Sequence, residues 1–329
     1  MKRLVMVGCG GFSRRYHMQT LLADQATQVV GIFDPHPAPE VHDIVQRTGA
    51  VLVDRLEQLP DADAALITTP HGLHAEHITF ALEKNWATLV DKPFVLDLND
   101  GRRLVEMARS RKLLNAVGFN RRLDAGCRRA RDVVASGQLG PVRLVQTVQL
   151  GYEAGGWFLE PALGGGGAFT GRGTHMADIV PWLLQKRPTR VHSRLRPAPA
   201  GGVDKGGFID LEFADLECQI TCIDQGLHMW DEIRIFGETG LIELRRPAHL
   251  GTGWAMHWMA ADGGTHESLE ADAGTGRITA DFLQALQKGT PVACTFADAL
   301  LSVEIVQAAF ASAASLQAED LHAVALRAG

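Results

Sequence analysis

Apolar positions in this chain follow two different rhythms, and the change between them falls near residue 120. Before that point, short unbroken apolar runs alternate with segments of helical spacing. The runs are Leu4–Val7, Val29–Phe33, Ala64–Ile67, Thr88–Val90 and Leu113–Val117. Between them, Arg15–Leu22, Leu73–Leu82 and Gly101–Ala108 repeat their apolar residues every three or four positions. A strand buried on both faces reads as a continuous apolar run, so this alternation predicts a parallel sheet with helices on both sides. Asp97 offers a side-chain acceptor to the first N–H groups of the helix behind it.

After residue 120 the period becomes two. A helix is predicted from Asp124 to Ser136, stopped by Gly137. Beyond Pro141, Val142, Leu144, Gln146, Val148 and Leu150 make a mostly apolar face, against Arg143, Val145, Thr147 and Gln149. Ile209, Leu211 and Phe213 alternate with Asp210 and Glu212, and Ile233 and Ile235 with Glu232 and Arg234. The signal returns at Leu241–Leu244. That pattern predicts a mainly antiparallel sheet with one face covered. A helical segment, His175–Gln185, interrupts the strands. Ile278, Phe282, Ala285 and Leu286 share one face of a later helix. Asp298–Leu316 is apolar or small almost all round, which calls for burial by domain packing or a subunit contact. Pro197–Gly207 is expected to be a mobile loop. The fold class is therefore α/β: a doubly wound parallel sheet over residues 1–122, then an α/β domain with a mainly antiparallel sheet over 123–329. The closing helices are expected to pack back on the first domain.

Composition narrows the partners. The 329 residues suffice for two domains, and a formal net charge of −6 gives no footprint for nucleic acid. Arginines at 102, 103, 109, 111, 128, 129 and 131 read as solvated helix faces, with Arg121 and Arg122 in a loop-like stretch. The five cysteines are scattered without a CxxC pair, which fits structural thiols in a reducing cytosol. Met1-Lys2-Arg3 leads straight into the first strand, and no apolar run approaches the roughly twenty residues of a membrane span. The expected setting is cytoplasmic, with no membrane partner.

Candidate chemistry begins at Gly8-Cys9-Gly10-Gly11. Strand, glycine turn, helix, strand, acid is the order of a dinucleotide-binding βαβ unit. Glycines let the backbone approach a pyrophosphate, and the helix start aims N–H groups and a positive dipole end at it. Ser13 stands where a third glycine is usual. Asp34 ends the second run, where a carboxylate accepts from ribose hydroxyls and repels a 2′-phosphate, favouring NAD over NADP. The plainer alternative is a nucleotide-free turn with Asp34-Pro35 as its opener. Asp91-Lys92-Pro93 follows another strand at the sheet edge where ligands bind. There Lys92 can hydrogen-bond a substrate hydroxyl, with Pro93 fixing its direction; a lone lysine there would otherwise be a surface residue. In Gly171-Arg172-Gly173-Thr174-His175, Thr174 is a natural N-cap, putting His175 at the first helical position. The dipole would keep its imidazole neutral and able to accept a proton. A lone histidine is more often a capping or core residue. His71, His74 and His77 step round a helix with no fixed carboxylate, so a metal is not expected. Thr69-Pro70-His71 reads as the loop after the fourth strand, near a nicotinamide ribose, with His74 opening the next helix.

On these residues the chain resembles the Gfo/Idh/MocA family of NAD(P)-dependent oxidoreductases. The likeness runs through Val7-Gly8-Cys9-Gly10-Gly11, Thr69-Pro70 with His74, and Asp91-Lys92-Pro93, where the family usually has Glu-Lys-Pro. It continues through Gly118-Phe119-Asn120-Arg121-Arg122, Gly140-Pro141-Val142, Gly165-Gly166-Gly167 and Gly173-Thr174-His175 with Asp178. The resemblance implies a Rossmann domain, an open-sheet domain that pairs chains into a homodimer or homotetramer, and hydride transfer between NAD and a sugar, sugar acid or cyclitol. It implies Lys92 and His175 as catalytic residues. Gly8, Gly10, Gly11, Phe12, Asp34, Thr69, Pro70, His71, His74, Asp91, Lys92 and Asn120 would line the cofactor site. Arg122, Tyr152, Trp157, Arg172, Thr174 and His175 would meet a polyol or sugar substrate. Many members carry an aspartate four residues before the histidine; here that position is Gly171. Three accounts follow: His175 acts without the acid, a substrate carboxylate or phosphate fills the gap and meets Arg172, or dehydrogenase activity is lost. The rival functions are a non-catalytic NAD-dependent sugar sensor and NAD-assisted elimination or glycoside cleavage.

Overall fold

The computed structural model describes residues 1–152, 155–196, 202–224, 229–246, 253–261, 264–269 and 277–321. In chain order the first part contains β1 (Lys2–Val7), α1 (Met18–Ala23), β2 (Thr27–Phe33), α2 (Pro39–Thr48), β3 (Val51–Val53), β4 (Ala64–Ile67), α3 (His74–Glu83), β5 (Ala87–Val90), α4 (Leu98–Ser110) and β6 (Asn115–Val117). Then come α5 (Ala125–Ala135), β7 (Val142–Gly151), α6 (Pro161–Gly164), α7 (Thr174–Leu184), β8 (Arg190–Leu195), β9 (Gly206–Glu212) and β10 (Glu217–Asp224). The chain closes with β11 (Trp230–Gly237), β12 (Gly240–Arg246), β13 (Ala255–Ala260), β14 (Thr265–Leu269), α8 (Arg277–Lys288), α9 (Phe296–Ser315) and β15 (Glu319–Asp320).

Two units are formed. The first takes Met1–Leu123, Ala162–Gly165 and Gly274–Val303; the second takes Asp124–Pro161, Gly166–Ala273 and Glu304–Gly329. In the first, six parallel strands lie in the order β3-β2-β1-β4-β5-β6. Adjacent residues of β1 go to opposite faces. Val5 and Val7 join a cluster with Ile78, Leu82, Trp86, Phe94, Leu104 and Phe296. Leu4 and Met6 join another with Met18, Leu21, Ile32, Ile278 and Phe282. A parallel sheet buried on both faces is thus the observed form of the unbroken apolar runs. Asp97 caps α4 as its position suggests, accepting from Asn99 N at 2.8 Å and Asp100 N at 3.0 Å.

The second unit is a nine-stranded sheet, β14-β13-β12-β11-β7-β10-β9-β8-β15. Its pairs are antiparallel except β7 with β10. Val142 is buried and Arg143 exposed as expected, but from Leu144 onward the side chains of β7 face the reverse of what hydropathy suggests. Val145, Thr147 and Gln149 are buried, whereas Leu144, Gln146, Val148 and Leu150 are half-exposed. Residues 197–201 of the expected mobile loop lie outside the described residues, and its last two, Gly206 and Gly207, begin β9. Arg121 and Arg122, set apart from the solvated faces as lying in a loop-like stretch, are buried, and Arg122 Nη1 donates to Ala293 O at 3.5 Å. All five cysteines are buried thiols. Among the described residues one helix, α9, is long and apolar enough to cross a membrane, against the expectation that no apolar run approaches that length; half of its apolar window is buried inside the protein.

Candidate functional site

Five of the six strands of the parallel sheet hand their last hydrogen bond to the residue after them. Gly8 N donates to Phe33 O at 2.8 Å, Asp34 N to Val53 O at 3.1 Å, and Thr68 N to Val7 O at 2.8 Å. Asp91 N donates to Ile67 O at 2.9 Å and Gly118 N to Val90 O at 2.8 Å. The glycine turn, Asp34, the Thr68-Thr69 loop, Asp91-Lys92 and Gly118-Asn120 therefore line one carboxyl edge, where ligands bind in open α/β sheets.

The edge is tightly built. Gly8 has φ +88°, and a Cβ there would fall 2.9 Å from Thr69 Cγ2. Thr68 Oγ1 donates to Gly8 O at 2.8 Å. Gly10 and Gly11, by contrast, are exposed, and a Cβ on either would meet no atom within 4 Å. Helical backbone starts at Gly11 and passes through a π-helical turn, Ser13–His17, before α1. Phe12, the residue before this turn, is exposed, its ring 4.8 Å from that of Tyr16. The half-exposed Asp34 turns its carboxylate to the glycine turn: Oδ2 accepts from Cys9 N at 3.1 Å and Oδ1 from His36 N at 3.0 Å. Burial and the Asp34 charge push the Cys9 thiol up to about 11, which disfavours its thiolate and fits a packing role. Asn120 Oδ1 is buried without a hydrogen-bond partner. Open glycines at a helix start, a carboxylate over the turn and an orphaned amide oxygen fit a bound dinucleotide.

Lys92 is half-buried. Its N–H donates to Asp91 Oδ1 at 2.8 Å, and a Cβ on Gly118 would lie 2.6 Å from that same oxygen. The Lys92–Pro93 bond is cis. Three histidines pack close by. His77 Nδ1 lies 2.8 Å from Thr69 Oγ1, and His71 Nδ1 lies 3.0 Å from Gly164 O. His74 is 1% exposed, with Nδ1 2.8 Å from Pro93 O and Nε2 3.0 Å from Thr69 O. His74 thus reaches any ligand through the loops it holds, rather than by touching it. Burial lowers all three, pushing His77 to about 4 and His71 well below the ordinary imidazole value. The Lys92 charge, and after it His74, depress His71 further. Among the described residues no group of three ligating side chains could hold a metal.

In the second unit, the start of α7 differs from the expected cap. The chain is already helical through a π-helical turn, Phe169–Gly173, and Gly173 before Thr174 is itself helical at φ −58°. Thr174 makes no capping bond; its Oγ1 is buried without a partner. His175 therefore lies inside a continuous helical stretch, and the dipole argument for its neutrality falls away. The cap is Asp204, whose Oδ1 accepts from Phe169 N at 3.1 Å and Gly206 N at 2.7 Å. Burial pushes the Asp204 carboxyl above its usual range. No spacing in the sequence pointed to this acid, 35 residues from the helix it caps.

Arg172 has a partner the sequence did not offer. Its Nε donates to Asp224 Oδ1 at 2.6 Å and its Nη2 to Tyr152 O at 2.7 Å. Asp224 sits opposite Gly151 in the β10–β7 register, and a Cβ on Gly151 would fall 2.1 Å from Arg172 Cζ. Glycine there lets the guanidinium lie against the strand. Tyr152 is exposed, and Trp157 stacks on Phe158 with ring centroids 3.8 Å apart. A Cβ at Gly171 would meet only Phe158, at 3.9 Å, so the position has room for a side chain.

Two family models match this chain. One, described as an oxidoreductase family with an NAD-binding Rossmann fold, covers residues 2–119; the other, the GFO/IDH/MocA C-terminal domain, covers 127–243. The chain belongs to the Gfo/Idh/MocA oxidoreductases. It is 25% identical over 325 residues to the rhizopine catabolism protein MocA of Rhizobium meliloti, spanning 93% of both chains. It is 24% identical to an inositol 2-dehydrogenase of Rhizobium meliloti strain 1021, spanning 95% of this chain and 97% of that one. An aldose-aldose oxidoreductase from Caulobacter crescentus has the same fold, with a TM-score of 0.84 at 19% identity over 97% of this chain and 99% of the other. As a Gfo/Idh/MocA protein the chain has an NAD-binding Rossmann unit.

Proposed function

We propose that this protein oxidises or reduces a hydroxyl carbon of a sugar, sugar acid or cyclitol with NAD, Lys92 and His175 carrying the chemistry. One observation carries the reading: the glycine turn, Asp34, Thr69 and Lys92 occupy one carboxyl edge of the parallel sheet, joined by the strand-end hydrogen bonds from Gly8, Asp34, Thr68 and Asp91. NAD supplies the hydride acceptor or donor. Lys92 hydrogen-bonds the reacting oxygen and stabilises charge developing on it, and His175 takes the hydroxyl proton. Asp34 accepts from ribose hydroxyls and repels a 2′-phosphate, which favours NAD over NADP. Small-molecule polyols or sugars are the partners, and the reaction is placed in the cytoplasm.

The test is a panel of aldoses, aldonic acids and cyclitols mixed with NAD+ or NADP+, followed by absorbance of the reduced cofactor. Turnover with NAD+ exceeding that with NADP+ is expected. Silence across the panel combined with tight NAD+ binding would favour a sensor instead. Product without net reduced cofactor would favour elimination or glycoside cleavage.

Gly171→Asp extends the test. The room at this position leads us to expect a folded variant with an unchanged melting profile and faster turnover, because a carboxylate four residues before His175 can hold and charge-match the imidazole. Slower turnover in a stable variant would mean that the space belongs to the substrate.

The open sheet supports pairing of chains into a homodimer or homotetramer. Ile223, Leu150 and Trp230 stand side by side across β10, β7 and β11, none of them buried, and Trp230 is 43% exposed. An apolar row of this kind is more usual at an interface than facing water. Trp230→Glu is expected to shift sedimentation toward the monomer; an unchanged coefficient in the folded variant would remove this face from the assembly.

A further inference from the structure

Resting on that assignment of Lys92, we infer that His74 is its positioning residue, a clip that fixes the Lys92-Pro93 turn to the loop following β4. The ring lies between two main-chain carbonyls, Pro93 O at 2.8 Å from Nδ1 and Thr69 O at 3.0 Å from Nε2. A neutral imidazole donates to one of them and a doubly protonated one to both. Burial opposes the charged form, while both carbonyls and the Asp91 carboxylate favour it.

The two anchored loops have different neighbours. Thr69 packs on the glycine turn, where a Cβ at Gly8 would touch its methyl at 2.9 Å, and its hydroxyl is held by His77 Nδ1 at 2.8 Å. Pro93 immediately follows Lys92, whose own N–H is held by Asp91 Oδ1 at 2.8 Å. Through His74, the amine-bearing turn is therefore registered against the glycine turn that carries the dinucleotide reading. His74 begins α3 and its N–H donates to His71 O, so the ring is carried by the segment that follows β4 and reaches across to Pro93 O. Reacting groups tolerate little displacement: a misplacement of about 1 Å costs on the order of 100-fold in rate.

Two variants separate the clip from general packing. His74→Phe fills the ring volume without N–H donors, and His74→Gln keeps a side-chain N–H donor. Hydrogen exchange on the NAD-free protein is expected to quicken roughly tenfold or more at residues 91–94 in His74→Phe, with the β1 and β4 amides unchanged and His74→Gln intermediate. Unaltered exchange at 91–94 in His74→Phe would overturn the clip. With NAD+ and the best substrate of the polyol panel, His74→Phe is expected to lose about 100-fold in kcat, with KM and the NAD+ dissociation constant within about threefold. In the Lys92→Met background the same change should cost nothing further. Losses that add in the double variant would overturn action through Lys92. Should His74→Phe not fold, the same measurements on His74→Gln decide, because its partial loss must also vanish in the Lys92→Met background. Full turnover by Lys92→Met alone would instead sink the role of Lys92, while the exchange result still judges the clip.

Discussion

Lys92→Met should retain the fold and NAD+ binding and lose about 10²- to 10⁴-fold in kcat. Methionine matches the length and apolar stem of lysine, so the packing around a half-buried side chain is kept and only the amine is removed. The backbone at this position is held by contacts that do not involve the amine: Asp91 Oδ1 on Lys92 N and His74 Nδ1 on Pro93 O, both at 2.8 Å. The amine itself is electrostatically close to His71, whose imidazole it helps hold well below the ordinary value, behind the larger effect of burial. A cation at a sheet edge meant for an anionic dinucleotide could serve mere attraction, in which case the substitution would weaken NAD+ binding and leave kcat alone. The two roles part on a single comparison: kcat at saturating NAD+ against the NAD+ dissociation constant by tryptophan quenching. A variant with full kcat ends the catalytic assignment.

The first unit could be read from its sequence because its determinants are local. An unbroken run such as Ala64–Ile67 is buried at every residue, and a strand buried on both faces needs that composition. The cap at Asp97 and the glycine turn likewise need only neighbours in sequence. In the second unit the same logic misled at β7. Period two locates the strand but does not say which face is covered, and the apolar set Leu144, Val148 and Leu150 faces outward. The helix start at Thr174 misled for another reason: a threonine after glycine is a good cap only where the chain before it is extended, and here Phe169–Gly173 is already helical. The ties of His74 had no sequence signature at all, because both partners are main-chain carbonyls, which every residue carries. The sequence leaves Arg172 open between a packing residue and a contact for a substrate anion, and neither account names Asp224, 52 residues away and on another strand.

That last pair leads to the second large effect. Arg172→Met is expected to cost about 2–3 kcal/mol in stability, somewhat less than the roughly 3–5 kcal/mol for breaking a fully buried ion pair, because the arginine side chain is 23% exposed while that of Asp224 is only 5% exposed. The cost arises mainly from Asp224, which would be left buried without its cation, together with the lost hydrogen bond to Tyr152 O. Asp224→Asn in the same background should return much of the loss, since the stranded charge is then gone; Asp224→Asn alone should cost less than Arg172→Met. Chemical denaturation of the three variants measures this directly. Turnover supplies the other half of the argument. A guanidinium already neutralised by Asp224 offers little net charge to a substrate carboxylate, so the ratio of kcat/KM for an aldonic acid to that for its parent sugar should be nearly the same in the Arg172→Met/Asp224→Asn double variant, where no stranded charge remains, and in the unaltered protein. A stable double variant whose preference for the acid collapses would show the opposite, that the arginine leaves Asp224 to grip substrate.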